Sequence, residues 1–271
     1  MFRRLSRWAI ALPVALALAG LSGCGSGQPA TSSTASDSSS ASASGAGGAK
    51  EVTVFAAASL TGTFTELGKT FEAAHPGTTV KFNFGSSATL AQQIVQGAPA
   101  DVFAAASPAT MKTVTDASLA SAPTTFVRNK LEIAVPKDNP AKVDELTDLA
   151  DSKVKVALCA EQVPCGAAAV KALDAAGLKV KPVTLEQDVK ATLTKVELGE
   201  VDAALVYKTD VIASAGKVQG LEFPEADKAI NDYPIATLAK APAGDLAKQF
   251  VDLVLSQQGK DVLTKAGFEA P

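Results

Sequence analysis

Histidine, tryptophan and tyrosine are scarce in this chain: one His, one Trp and two Tyr in 271 residues, with aromatics at 5% overall. The single histidine, His75, sits in His75-Pro76-Gly77, a helix-stopping tripeptide, so a serine hydrolase would have no general base to work with. No Gly-x-Ser-x-Gly elbow occurs, and Ser214-Ala-Gly-Lys217 matches Ser-x-x-Lys without the Lys-Thr-Gly partner that chemistry requires. A secreted serine hydrolase is therefore the weaker reading, and the chain is expected not to be an enzyme. Cysteine is nearly as rare, with three residues. Structural zinc needs four ligands, and two thiolates plus a distant histidine do not supply them, so neither a direct metal ligand nor a cofactor is expected.

Long hydrophobic runs are also missing. The one apolar stretch, from Trp8 to Gly20, is little more than half of the roughly 20 residues that span a bilayer as a helix. Arg3, Arg4 and Arg7 precede it and Leu21-Ser22-Gly23-Cys24 follows, the pattern of a secretory signal peptide over residues 1–23. The small residues before Cys24 are similar to a lipobox, which implies lipidation of Cys24 and an extracytoplasmic place on the outer face of the cell membrane, with the periplasm as the alternative. Without Arg3, Arg4 and Arg7 the chain keeps 22 Lys+Arg against 28 Asp+Glu, a net charge of −6, which disfavours a nucleic-acid partner.

Residues 24–49 are almost entirely Ser, Ala, Gly and Thr, with Asp37 the only charge. Such a segment lacks the apolar surface to offset chain entropy and is expected to be a disordered linker. The folded body then runs from about Lys50 to Pro271, enough for two lobes of about 100 residues each. In an exported protein Cys159 and Cys165, separated by Ala-Glu-Gln-Val-Pro, are expected to pair, with two buried free thiols as the alternative.

Strand and helix signals alternate through the body, the pattern of an α/β protein with mainly parallel sheets. A strand is expected at 51–58, a helix at 60–74 with Phe64, Leu67 and Phe71 on one face, a strand at 79–84, a helix at 89–96, a strand at 101–105 and a helix from Pro108. A second series begins with a strand at 131–135 and continues with strands near 154–158 and 201–206, interleaved with helices at 166–176 and 189–198. Pro-rich turns and Tyr233-Pro234 precede a strand at 235–238, and helices at 244–255 and 259–266 close the chain. No internal repeat is evident. The order of elements leaves open which lobe receives the final segment.

Four strand-to-helix turns share one chemistry: Ala58-Ser59, Gly85-Ser86-Ser87, Pro164-Cys165-Gly166 and Gln187-Asp188-Val189. Each places a small, hydroxyl or capping residue where backbone N–H groups are unpaired. Taken singly, each turn is an ordinary helix cap. As a set at the carboxyl edge of α/β lobes, they would form an anion site without any formal cation.

The set carries a resemblance. Val54-Phe-Ala-Ala-Ala-Ser-Leu-Thr61, Phe84-Gly-Ser-Ser-Ala-Thr-Leu90, Gln96-Gly-Ala-Pro-Ala-Asp-Val-Phe103, Gln162-Val-Pro-Cys-Gly166, Asp188-Val189 and Leu205-Val-Tyr207 resemble, in order and spacing, the molybdate-binding proteins of molybdate ABC transporters. The likeness covers nearly all of residues 51–268. It implies a type II periplasmic-binding-protein fold, two α/β lobes joined by two crossing strands with the ligand cleft between them. Residues 50–128 and 234–271 would form lobe 1, and residues 129–233 lobe 2.

It also implies a monomer that captures molybdate or tungstate and passes it to the membrane permease of an ABC importer, with molybdenum held only as its oxyanion. The implied contacts are Ser59 and Ser87 from the first lobe, and Cys165, Val189 and Tyr207 from the second. The serines would give hydroxyl and N–H, Cys165 and Val189 only N–H, and Tyr207 its phenolic O–H. Cys165 and Ala88 depart from the family pattern, which often has alanine and serine there. Sulfate or another small anion is the alternative ligand.

Overall fold

A computed structural model describes residues 50–271, so the signal segment, Cys24 and the linker lie outside the described residues. Among the described residues ten strands and eight α-helices follow one another, with three short 3-10 helices between them. The strands are β1 (Lys50–Ala57), β2 (Thr78–Gly85), β3 (Val102–Ala104), β4 (Thr124–Asn129), β5 (Leu131–Pro136), β6 (Val156–Cys159), β7 (Thr184–Glu186), β8 (Ala203–Tyr207), β9 (Val218–Leu221) and β10 (Asn231–Thr237). The helices are α1 (Thr61–Ala74), α2 (Ser87–Val95), α3 (Pro108–Asp116), α4 (Pro164–Ala175), α5 (Val189–Glu197), α6 (Lys208–Ala213), α7 (Gly244–Leu255) and α8 (Gln257–Lys265). None of the described helices is long and apolar enough to cross a membrane.

The strands form two five-stranded sheets, ordered β2-β1-β3-β10-β4 and β7-β6-β8-β5-β9. In the first sheet β1 is parallel to β2 and β3, while β10 is antiparallel to both β3 and β4. In the second, β6 is parallel to β7 and β8, while β5 is antiparallel to both β8 and β9. Each sheet thus has a single reversed strand in its fourth place, which accounts for both of its antiparallel pairings. The two sheets repeat one strand order although no repeat is visible in the sequence.

The reversed strands are where the chain crosses between lobes. From β4, on the edge of the first sheet, it passes through Lys130 alone into β5 of the second. From β9, on the edge of the second, it returns through a 3-10 helix at Pro224–Lys228 into β10 of the first.

Three strands went unread in the sequence. Strand β4 was missed because only Lys130, with no turn residue, separates Thr124–Asn129 from the apolar run of β5. Strands β7 and β9 are three and four residues long, with little alternation to mark them. Strand β10 begins at Asn231, ahead of the expected boundary at 234, because Asn231 and Tyr233 already pair with Asn129 and Val127. Tyr233-Pro234 accordingly lies inside the strand rather than ahead of it. The register shifts between these two residues, and such an irregularity tolerates a proline that has no N–H for the ladder.

Burial follows from these patterns. Val52, Val54 and Ala56 of β1 are fully buried because the strand lies between β2 and β3 under helices. Helix α1 turns Phe64, Leu67 and Phe71 inward at helical spacing. Phe250 of α7 packs edge-on against Phe64, Phe71 and Phe82, with ring centroids 6.0, 5.6 and 6.1 Å away. Burying a side chain of this size contributes roughly 2–3 kcal/mol. That contact holds α7 against α1 and β2.

Candidate functional site

Four helix starts meet at one small hollow between the two sheets. Its wall includes Ser59, Ser86, Ser87, Cys165, Val189 and Tyr207, so the five residues named from sequence all reach it. About 20 Å³ is open to the centre of a water-sized sphere. Treated as a sphere and widened by a water radius of about 1.4 Å, that space is roughly 3 Å in radius. A four-oxygen anion fits such a hollow, whereas a sugar or peptide needs a pocket of several hundred Å³. A wider cleft of about 460 Å³, lined by Gln92, Gln162 and Gln187 among others, shares Val163 with the hollow.

Each donor is placed by local chain geometry. Ser59 lies in the 3-10 turn Ala58–Leu60 that joins β1 to α1, and its Oγ is 2.9 Å from the Tyr233 hydroxyl. Ser86 occupies the N-cap of α2 yet makes no side-chain cap bond, and its buried Oγ has no partner. Ser87, the next residue, accepts the Ala106 N–H at 3.0 Å through its Oγ, which leaves its own proton free.

In the second lobe Pro164 opens α4 where a missing N–H costs nothing, and Cys165 follows it. The Cys165–Cys159 disulfide, with Cα atoms 5.7 Å apart, closes this loop. Asp188 caps α5: its Oδ1 accepts from the N–H groups of Lys190 at 2.9 Å and Ala191 at 3.0 Å. The N–H of Val189 takes no part in that cap. Cys159 Sγ also lies 3.2 Å from Thr192 Oγ1 in α5, so the disulfide links the starts of α4 and α5.

Tyr207 ends β8 and is 1% exposed. Burial, then the neighbouring Tyr233 and Asp210, push its phenol well above the ordinary value. Tyr233 is likewise pushed up, mainly by burial. Both hydroxyls therefore stay protonated at neutral pH and remain able to donate.

Among the residues lining the hollow there is no Lys, Arg or His, and the one acidic side chain, Asp188, is turned to helix capping. Convergent N–H groups, helix-start dipoles and neutral hydroxyls are the arrangement that binds an anion without neutralising it. His75 is occupied elsewhere, its Nδ1 2.8 Å from the Phe71 carbonyl and its Nε2 2.9 Å from Gln249 Oε1.

Sequence reasoning missed four polar groups here. Ser86 was seen only as part of a turn. Tyr233 stands out in the sequence only as a residue ahead of a strand. Asn129 and Asn231 attracted no attention, although asparagine is unusual in strands and two of them at strand ends were a usable signal.

Residues 52–269 match the family of bacterial extracellular solute-binding proteins. The chain is 42% identical over 225 residues to the molybdate-binding protein ModA of Mycobacterium tuberculosis, covering 83% of this chain and 86% of that one. Among solved structures it resembles the periplasmic molybdate-binding protein of Azotobacter vinelandii, with a TM-score of 0.71, 22% identity and coverage of 81% and 99%. The sulfate-binding protein SubI of M. tuberculosis is similar at a TM-score of 0.70 and 18% identity, covering 82% of this chain and 87% of that one. At these identities the two structural likenesses concern the fold alone.

Proposed function

The chain belongs to the bacterial extracellular solute-binding proteins, and from that premise we propose that it captures molybdate or tungstate outside the cell membrane and hands it to the permease of an ABC importer. It acts as a monomeric binding protein, without catalysis, tethered by a lipid on Cys24. The observation that carries the ligand assignment is the set of helix starts and neutral hydroxyls from both lobes around one oxyanion-sized hollow. The relative at 42% identity supports molybdate over other tetrahedral anions. We assign the contacts to Ser59, Ser87, Cys165, Val189 and Tyr207, and add Ser86.

Molybdate near neutral pH is a proton-free dianion, so every oxygen accepts. If about six charge-assisted hydrogen bonds contribute roughly 1.5–3 kcal/mol each, the gross gain is about 9–18 kcal/mol. Desolvation and immobilisation reduce this to a net of about 8–11 kcal/mol, or micromolar to ten-nanomolar binding. Hydrogen phosphate brings a proton that meets donors, and a buried unpaired O–H costs about 1–3 kcal/mol. Sulfate has no such proton and is disfavoured only by its smaller size.

Competitive calorimetry at neutral pH should give molybdate about equal to tungstate, then sulfate, then phosphate. Phosphate binding as tightly as molybdate would overturn the function. The added contact has its own test. Because Ser86 Oγ has no partner in the protein, Ser86→Ala breaks no internal hydrogen bond. It should leave the melting temperature of the free protein unchanged while weakening molybdate about tenfold or more. Undiminished affinity would remove Ser86 from the site.

A further inference from the structure

We propose that Asn129, Asn231 and Tyr233 are positioning residues that turn the hydroxyl protons of Ser59 and Tyr207 towards the bound anion. The inference rests on the oxyanion reading of the hollow and extends it to residues that do not themselves contact the ligand.

The two asparagines face each other across the strand pair where the lobes join, Asn231 in β10 opposite Asn129 in β4. Both are buried, at 7% and 1% exposure. Their amide orientations follow from their fixed neighbours. Ala106 O, which can only accept, lies 2.6 Å from Asn231 Nδ2, so that nitrogen is identified, and its second bond reaches the Tyr207 hydroxyl at 2.8 Å. The Tyr207 oxygen is therefore an acceptor there, and its proton must go elsewhere. Its neighbours there are the Tyr233 side chain, ring centroid 6.1 Å away, and the hollow. A dianion is the stronger acceptor of the two.

Lys130 N–H, which can only donate, lies 3.1 Å from Asn129 Oδ1, so Asn129 Nδ2 faces Thr209 Oγ1 at 2.8 Å and the Tyr233 hydroxyl at 3.4 Å. Tyr233 thus accepts from Asn129 and gives its own proton to Ser59 Oγ at 2.9 Å. Were Ser59 the donor instead, the buried Tyr233 proton would lose this acceptor, at a cost that favours the first arrangement. With its oxygen occupied, Ser59 presents its proton to the hollow. Ala106 completes the pattern, since its N–H occupies Ser87 Oγ and its C=O holds Asn231. The hydroxyls of Ser59, Ser87 and Tyr207 are each left with a proton to give and an oxygen already engaged. Discrimination against protonated anions is then built at the interlobe strands.

Asn129→Asp reverses the arm that runs through Tyr233 to Ser59. A carboxylate oxygen in place of Nδ2 accepts the Tyr233 proton, Ser59 turns its own proton to Tyr233, and the Ser59 lone pair faces the hollow. At mildly alkaline pH molybdate and hydrogen phosphate are both dianions, so added charge or loosened packing weakens them in parallel. Reversal of Ser59 instead favours the anion that carries a proton. Calorimetry on the full chain should show the molybdate-to-phosphate affinity ratio falling about tenfold in Asn129→Asp.

Tyr233→Phe keeps the ring packing and frees Ser59 from its proton donor. It should lower the ratio by roughly threefold or more, and it secures the test if Asn129→Asp does not fold. In that background Asn129→Asp should change the ratio by less than about twofold, because the connection to Ser59 is gone. A ratio unaltered in both single variants, or the same tenfold drop with and without Tyr233, would overturn the proposal. Failure of the unsubstituted protein to bind molybdate would overturn the functional reading instead.

Discussion

Gly166→Ala should abolish anion capture, weakening molybdate by about a hundredfold or more while lowering stability by roughly 2–3 kcal/mol. Gly166 is the third residue of α4, directly after Cys165. A Cβ there would stand 2.5 Å from the Ala160 carbonyl carbon and 2.7 Å from Cys159 O, and nearer still to the Ala160 oxygen. All three are backbone atoms, so no side chain can swing aside. The disulfide ties the two ends of the same loop, so the strain must move the start of α4, where Cys165 is assigned to donate. A shift of about 1 Å at such a site costs about a hundredfold. Gly62→Ala is the matched control: nothing lies within 4 Å of the added Cβ in α1, and replacing a helical glycine should stabilise by about 0.5–1 kcal/mol. Titration calorimetry and urea unfolding of the two variants provide the comparison. Retained submicromolar binding in Gly166→Ala would show that the α4 start does not hold the ligand.

Asp210→Asn should make the free protein more stable at neutral pH, by up to about 3 kcal/mol, and flatten its response to mild acid. Asp210 is fully buried beside Tyr207, and burial raises its carboxyl to about 6 despite the Lys190 ammonium 3.1 Å from Oδ1. The Lys190 ammonium and the Tyr207 backbone both hold the carboxyl down, but by less than burial pushes it up. The folded state therefore holds this proton more tightly than the unfolded chain, whose carboxyl titrates near 3.9. Stability from this group is greatest below about pH 4, declines as pH rises through about 6, and stays low above it. Removing one partner of a buried ion pair ordinarily costs several kcal/mol because the survivor is stranded. Here the survivor, Lys190, is 36% exposed and can reach water, so relief of the buried charge decides the sign. Urea unfolding near pH 5 and near pH 7.5 should show the larger acid gain in the unsubstituted protein. Destabilisation of Asp210→Asn at the higher pH would mean that the ion pair outweighs burial.

Helix starts are local events, and the sequence shows them. A small or capping residue before an apolar-periodic run is enough to place Ser59, Ser86, Ser87, Cys165 and Val189 at strand-to-helix turns, because the unpaired N–H groups belong to the next few residues. Spacing is equally local for Cys159 and Cys165. Sequence alone could not distinguish Ser86 from Ser87. They are adjacent, both hydroxyl, and both on the wall of the hollow. Which of them has a free oxygen depends on Ala106, whose N–H reaches Ser87 and not Ser86.

The reversed strands were illegible for the same reason. Strands β5 and β10 differ from their neighbours in direction, which no hydrophobic alternation records, and the shared strand order appears only once both sheets are assembled. Asn129 and Asn231 each sit in an ordinary strand, and their meaning comes from facing each other where the chain crosses between lobes. Short-range hydrogen bonding set the individual donors. Their convergence, and the direction of each hydroxyl proton, were decided by contacts between segments far apart in the chain, because a proton turns to whichever acceptor the fold leaves open.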